Sequence, residues 1–497
     1  MAVIVRCSIV PALKGRDVAT AELTQEAAKP HAAHASGGLV GLLLGPLVAL
    51  LIWLAPISPD PKVHHALAIT AFMVLYWVFE PIELGLTALI GCFLFWALGV
   101  VEFETAFSGF ASSTPWFLFG AVLMGEAAAK TGLAERIGTI VMGRAGTSYS
   151  SLLLSAIVLV LLLNFLVPSG MAQLAILAPI VMGVVAAFGV DKGSNIGRGL
   201  FVILTYGCGL FNKMILTGGA TILARGVVEK VTGQAIPWSL YFVAYLPAIV
   251  LTVFASWLAV LWLWPPEKKE TPGGRKYLDD RLNALGSWKA SEKKTLAWLL
   301  VAVVLWATDF AHGIDPAVIA LGVGLALALP KIGVLSAKDV RATNFLLIIF
   351  LGGALSMGEV LIQTKALNLL TGTMMAGIAP FMGGSWESPT VLYWAGFVYH
   401  FFLGSELSML STSLPVIISY AQSHGFNPTA LAMVWAFTSG GKLFMYQSSV
   451  LVQGFSYGYF TARDMLKIGF VLTVVEGVIL FFLVPLYWPL IGLSWTN

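Results

Sequence analysis

The sequence predicts an all-α polytopic membrane protein, with about 11 transmembrane helices plus two re-entrant hairpins in two inverted-topology repeats. Three observations carry that prediction. Of the 497 residues, 58% are hydrophobic and only 11% charged, and the mean hydropathy is +0.88, whereas a soluble domain carries about 25% charged residues. Apolar stretches long enough to cross a ~30 Å hydrocarbon layer recur from residue 38 to residue 492. Short passages of the first half also return in the second half in the same order. The formal charge of +3 is too small for a nucleic-acid footprint. The three cysteines, Cys7, Cys92 and Cys208, are odd in number and two lie in apolar segments, so no disulfide framework is expected.

Taken in order, residues 1–37 read as a cytoplasmic tail: Met1 to Pro30 carries Arg6, Lys14 and Arg16, and its own apolar stretch is too short for a cleaved signal. Residues 38–63 hold a first transmembrane helix and its connection. A first repeat spans 64–264, with apolar segments at 64–80, 86–103, 116–141, 149–190, 198–227 and 239–264. The polar insertion 265–294 contains Lys268, Lys269, Arg275, Lys276, Arg281, Lys289, Lys293 and Lys294, which places it in the cytoplasm by the positive-inside rule. A second repeat occupies 295–497, with segments at 295–309, 315–330, 344–378, 391–421, 430–454 and 467–492. Segments 149–190 and 391–421 are too long for one crossing and carry polar tips, Pro168-Ser169-Gly170 and Gly404-Ser405-Glu406, so each reads as a re-entrant hairpin. Six crossings then precede the basic loop and five follow it, which sets the N-terminus in the cytoplasm and the C-terminus outside.

The repetition is specific. FLFGAVLMGEAAAKT from Phe117 lies over FLGGALSMGEVLIQT from Phe350 at an offset of 233 with 8 identities. FLVPSGMAQLAILAPIV from Phe165 lies over FFLGSELSMLSTSLPVI from Phe401 at an offset of 236, so the hairpin tips coincide. ATILARG at 220–226 lies over SSVLVQG at 448–454. With five crossings per repeat, the copies are inverted in the membrane. Broken helices persist at membrane depth only when buried in protein or lining a wet cavity, and paired breaks in inverted halves mark a transporter's site. The elements expected there are the tips Ser169-Gly170-Met171 and Ser405-Glu406-Leu407, with the breaks Thr217-Gly218-Gly219-Ala220-Thr221 and Tyr446-Gln447-Ser448-Ser449. Helices that start after each tip direct unpaired N–H groups and partial positive charge inward, which suits an anion. Ser169 and Ser405 either only N-cap their helices or also meet the ligand.

An Asp, Lys or Arg at a membrane helix centre costs roughly 2.5–3.5 kcal/mol on insertion scales. Lys213 and Lys442 precede the breaks of their repeats, 229 positions apart, so pseudo-symmetry sets them on opposite sides of one cavity. They would balance an anionic substrate or take the electrostatic place of bound cations; alternatively, each snorkels or pairs with a structural acid. Glu406 would repel an anion unless protonated, ion-bound or paired with Lys442, which makes it the candidate for cation or proton coupling, with a structural salt bridge as the other reading. His400 precedes that tip and either titrates with it or packs as a hydrogen-bonded residue. Glu126 and Glu359 occupy equivalent repeat positions and are assigned structural partners.

Four stretches, WVFEPIELGLTAL at 77–89, FLVPSGMAQLAILAPI at 165–180, HFFLGSELSMLSTSLP at 400–415 and FMYQSSVLVQGFSYGYFTARDMLKIG at 444–469, resemble the divalent anion:sodium symporter family, the solute carrier 13 type. The resemblance implies a homodimer in a bacterial inner membrane. It also implies a scaffold subdomain and an elevator-like transport subdomain that moves a di- or tricarboxylate or sulfate-like anion, usually with sodium; the less polar tips at Met171 and Leu407 would also admit a bulkier organic sulfonate or carboxylate. The family's Ser-Asn-Thr tips fall on Ser169, Gly170 and Met171 and on Ser405, Glu406 and Leu407, where only the serines persist. The usual pair of sodium sites therefore does not carry over intact. A sodium ion, where present, would lie near Ser169, Gly170, Gly218, Ser405, Glu406 and Gln447. Thr217, Thr221, Ser448 and Ser449 complete the implied substrate set. No other cofactor is implied; the coupling ion is Na+ or H+, or the carrier exchanges anions.

An enzyme is disfavoured, because the chain has no HExxH, CxxC, GxSxG or Walker A pattern. The nearest rival readings are a metalloid-oxyanion or cation/proton antiporter of the same superfamily, and an anion channel.

Overall fold

The computed structural model describes residues 35–496 apart from Pro168, Pro272 and Gly404. Most of the cytoplasmic tail expected at 1–37, with Cys7 and its basic residues, and one residue of each hairpin tip therefore lie outside the described residues. Among those described there is no β-strand. After α1 (Ala35–Leu54), the first half runs α2 (Pro61–Phe79), α3 (Leu84–Ala97), α4 (Ser113–Thr131), α5 (Leu133–Arg144), α6 (Tyr149–Asn164), α7 (Gly170–Ala187), α8 (Asn195–Leu210), α9 (Gly219–Thr232) and α10 (Trp238–Leu263). A connecting helix, α11 (Gly274–Leu285), leads to α12 (Ala290–Ala307), α13 (Pro316–Ala328), α14 (Phe345–Gln363), α15 (Ala366–Met375), α16 (Glu387–Phe401), α17 (Glu406–Ser423), α18 (Pro428–Thr438), α19 (Ser449–Ser456) and α20 (Ala462–Phe482).

Two segments read from sequence as single spans are broken. The 116–141 stretch bends by 69° between α4 and α5, because Gly132 takes a left-handed conformation at φ +81 and ends the first helix. The 344–378 stretch breaks between α14 and α15 at Lys365, which has φ +62. Lys365 lies 233 positions after Gly132, the offset at which the surrounding sequences align. A glycine adopts this conformation without steric cost, whereas a lysine meets a steric penalty there. The two tips behave alike: α7 and α17 each have 18 residues and each contains one proline, Pro179 and Pro415, at the same position.

Among the described residues, five helices are long and apolar enough to cross a membrane alone, six if α4 and α5 make one span. Shorter apolar helices, α3, α13 and α18, fall within other segments read as crossings, and α6 falls within the first hairpin. Lipid offers helices no hydrophobic reason to associate, so contacts rest on small residues and hydrogen bonds. On α4, Gly120 sits against the Ala320 backbone of α13, and Gly324 of α13 faces Gly120 in return, leaving no room for a Cβ on either. Outward faces stay apolar, as at Leu258 and Trp262 of α10 and Phe470 and Val478 of α20. The basic insertion is pinned rather than slack. Arg281 meets Glu135 at 2.7 Å, and buried Arg136 meets Glu292 at 3.0 Å while donating to the Leu285 and Gly286 carbonyls.

Candidate functional site

The four interrupted elements converge around the C-terminal end of α8. A Cβ on Gly170, at the first tip, would lie 2.6 Å from the Cys208 carbonyl oxygen and 3.0 Å from Val450 of α19. One residue on, a Cβ on Gly209 would lie 3.2 Å from Lys442 Nζ, and that ammonium pairs with Glu406 of the second tip. Leu407 stands 3.9 Å from a Cβ built on Gly219, where α9 begins. The first tip thus abuts the start of the second half's α19, and the second tip abuts the start of the first half's α9. Four helix N-termini gather here, with their unpaired N–H groups and partial positive charge.

Within each half, the end of the hairpin's first helix is tied to the break of the same half. The Asn164 carbonyl accepts from Thr217 Oγ1 at 2.7 Å. The His400 carbonyl, 236 positions later, accepts from Gln447 Nε2 at 3.5 Å. Thr221 donates to the Ile215 and Gly218 carbonyls, and Gln447 Oε1 accepts from the Leu443 and Phe444 amides, both at 2.8 Å. These side chains hold the unwound backbone that a membrane interior would otherwise leave unsatisfied. Ser169 caps α7 by accepting from the Ala172 amide at 3.3 Å, while Ser405 starts α17 with no side-chain cap bond. Ser448 is buried and Ser449 exposed at the start of α19. Ser169 and Met171 are exposed beside the buried Gly170.

Each lysine crosses from its own half to the other. Lys213 leaves its own half and lies on Gly440 in the other half's break, where a Cβ would collide with it. Its ammonium meets Glu476 Oε2 of α20 at 2.5 Å, with both side chains fully buried, and stands 4.2 Å from the Phe437 ring. Lys442 crosses in the opposite sense, onto Gly209 of the first half. Its side chain is 3% exposed and that of Glu406 19%. Tyr206 of α8 holds the second break, donating to the Lys442 carbonyl at 3.1 Å and accepting from the Lys442 amide at 3.2 Å. His400 is buried, and neither ring nitrogen has a hydrogen-bond partner.

The profile of the sodium:sulfate symporter transmembrane region matches residues 38–494. The chain belongs to that family. It is accordingly a divalent anion:sodium symporter family member, a membrane transporter rather than an enzyme. It is similar to the putative malate transporter YflS of Bacillus subtilis, 25% identical over 92% of this chain and 97% of that one. The sodium-dependent dicarboxylate transporter SdcS of Staphylococcus saprophyticus is 23% identical over 94% of this chain and 95% of its own length. The solved structure of Neisseria gonorrhoeae MtrF, from a class of antimetabolite efflux pumps, shares the fold. It has a TM-score of 0.56 at 10% identity and covers 88% of this chain and 98% of its own.

Several residues that shape this family member's site were absent from the sequence reading. Glu476 is the partner of Lys213, and Tyr206 clamps the second break. Gln173, fully buried, donates to the Val167 carbonyl at 2.6 Å and to Asn164 Oδ1 at 3.3 Å, closing the first tip from within. Each is a polar group inside an apolar run, the signal that singled out the lysines. Glu359, assigned a structural partner from sequence, meets Lys230 at 3.1 Å.

Proposed function

We propose that this protein carries a small dianion of the dicarboxylate or sulfate type across a bacterial inner membrane, with Lys442 and the surrounding helix N-termini as the anion's counter-charge and without a bound sodium ion. The observation that carries the reading is Lys442, nearly buried at the second hairpin tip and, among the described residues, in ion-pair contact with the partly exposed Glu406. A buried ammonium needs an anion. The family includes relatives named for malate and dicarboxylates, which supports substrates of that class.

Sodium fits poorly here. The asparagines and threonines of the family's tips are replaced by Gly170, Met171, Glu406 and Leu407, and two protein ammonium groups already stand at the second half's tip and break. A sodium ion within 4 Å of such an ammonium would meet a repulsion of about 4 kcal/mol at an effective dielectric of 20. The substrate set is Ser169, Gly170, Met171, Thr217, Thr221, Ser405, Leu407, Ser448 and Ser449, with Lys442 supplying charge, Glu406 paired to it and Lys213 locking the break. The proposal includes two inverted repeats, a homodimeric scaffold and elevator-type alternating access, with the N-terminus cytoplasmic and the C-terminus outside. The equal lengths and matched prolines of α7 and α17 support that internal duplication.

The test is uptake into proteoliposomes with sodium, proton and counter-anion gradients imposed one at a time. Uptake of malate, succinate or sulfate that proceeds without sodium is expected. A strict requirement for sodium would refute the reading, and ohmic single-channel currents would replace the carrier with a channel.

A further inference from the structure

We infer that Glu406 is a built-in stand-in for the substrate: its carboxylate holds Lys442 while the carrier is empty, and an arriving anion displaces it. The inference rests on the proposed anion site and goes on to how the empty carrier moves. Three features support it. Glu406 is the first residue of α17, so its carboxylate lies at a helix N-terminus where an anion is favoured. It pairs with the ammonium at the tip. Lys442 is locked in place, its backbone bonded on both sides to Tyr206 and its ammonium set against Gly209, whereas Glu406 is partly open. The fixed partner is the cation and the movable partner is the carboxylate. The other pair shows the contrast, since Lys213 and Glu476 are both fully enclosed and neither has an exit.

The consequence concerns alternation. Moving a binding site through the bilayer with an unpaired buried ammonium is costly, whereas moving it with the ammonium paired is not. With substrate bound, the incoming carboxylate or sulfate pairs Lys442. Without substrate, Glu406 does so, and the empty site can return. The wild-type protein therefore performs net uptake as well as exchange. Removing the tethered carboxylate penalises only the empty return.

The experiment uses full-length protein in liposomes with the membrane potential clamped. The probe is whichever of malate, succinate and sulfate raises the melting temperature of the wild-type protein. Net uptake into empty liposomes is compared with exchange into liposomes preloaded with the same anion. For Glu406→Gln, the ratio of net uptake to exchange is expected to fall at least about tenfold, and the anion to bind more tightly because its competitor is gone. Glu406→Asp, which keeps a carboxylate on a shorter reach, should fall in between, and its ratio decides the matter if Glu406→Gln does not fold. An unchanged ratio would overturn the inference. So would folded Glu406→Gln protein that neither binds nor exchanges, because Glu406 would then be needed by the substrate itself. Wild-type protein that exchanges but takes up nothing into empty liposomes would overturn it while leaving the proposed function standing. Wild-type protein that neither binds nor moves any of the three anions would remove both.

Discussion

Lys213 and Lys442 come from matching places in the two halves, yet they end in different surroundings. Lys213 is sealed against Glu476, with side-chain exposures of 1% and 0%. Lys442 is just as deeply set, but its partner Glu406 is 19% exposed and begins the helix at a hairpin tip. The tips differ in the same sense. The first is closed by neutral amides, Gln173 on Asn164 and on the Val167 carbonyl, and the second by an ion pair. The matching segments of the two halves therefore differ in charge: one lysine is sealed at a break, and the other is the one the proposed function gives to an anion.

That contrast can be broken at either lysine. The largest stability loss is expected at the sealed pair. Glu476→Gln leaves Lys213 buried and unpaired and should cost about 3–5 kcal/mol of stability, read as a lowered melting temperature in detergent. Adding Lys213→Met to it should restore most of that loss, because the uncompensated charge is gone; no recovery would mean that Glu476 serves a different partner. The largest transport loss is expected at the open pair. Lys442→Met should lower anion uptake about 30-fold or more, in line with truncating a buried charge partner worth 2 kcal/mol or more, while melting falls less than for Glu476→Gln. The smallest effects sharpen the comparison of the tips. Ser169→Ala removes a helix cap and should cost about 1 kcal/mol, whereas Ser405→Ala removes no cap bond and should leave stability within about 0.5 kcal/mol of wild type. Equal losses at both serines would place a hidden cap at Ser405.

Much of this organisation was legible in the sequence because apolar length and repetition are long-range signals. The tips at Ser169 and Ser405 and the order of the elements are written in polar interruptions of apolar runs. Lys213 and Lys442 stood out for the same reason. Their destinations did not, because a lysine's reach crosses from one half to the other, and nothing local to residue 213 indicates Gly440 or Glu476. Pseudo-symmetry paired the two positions, and tertiary packing sends each side chain into the opposite half. The break at Gly132 was passed over although KTGLAER at 130–136 interrupts the apolar run of 116–141 with charges and a glycine. The break at Lys365 was hidden by a residue type that seldom takes positive φ. Glu476 was passed over as one acid in the last helix, although a carboxylate in VLTVVEGVIL calls for a buried cation as plainly as a lysine calls for an acid.

The most direct test of the account is the affinity of the purified protein for a dianion with and without sodium, at constant ionic strength, with choline as the replacement cation. Charge supplied by the protein's own lysines predicts dissociation constants that agree within about twofold. Tightening by about tenfold or more on adding sodium would contradict it, because the ion would then be supplying the counter-charge assigned to Lys442.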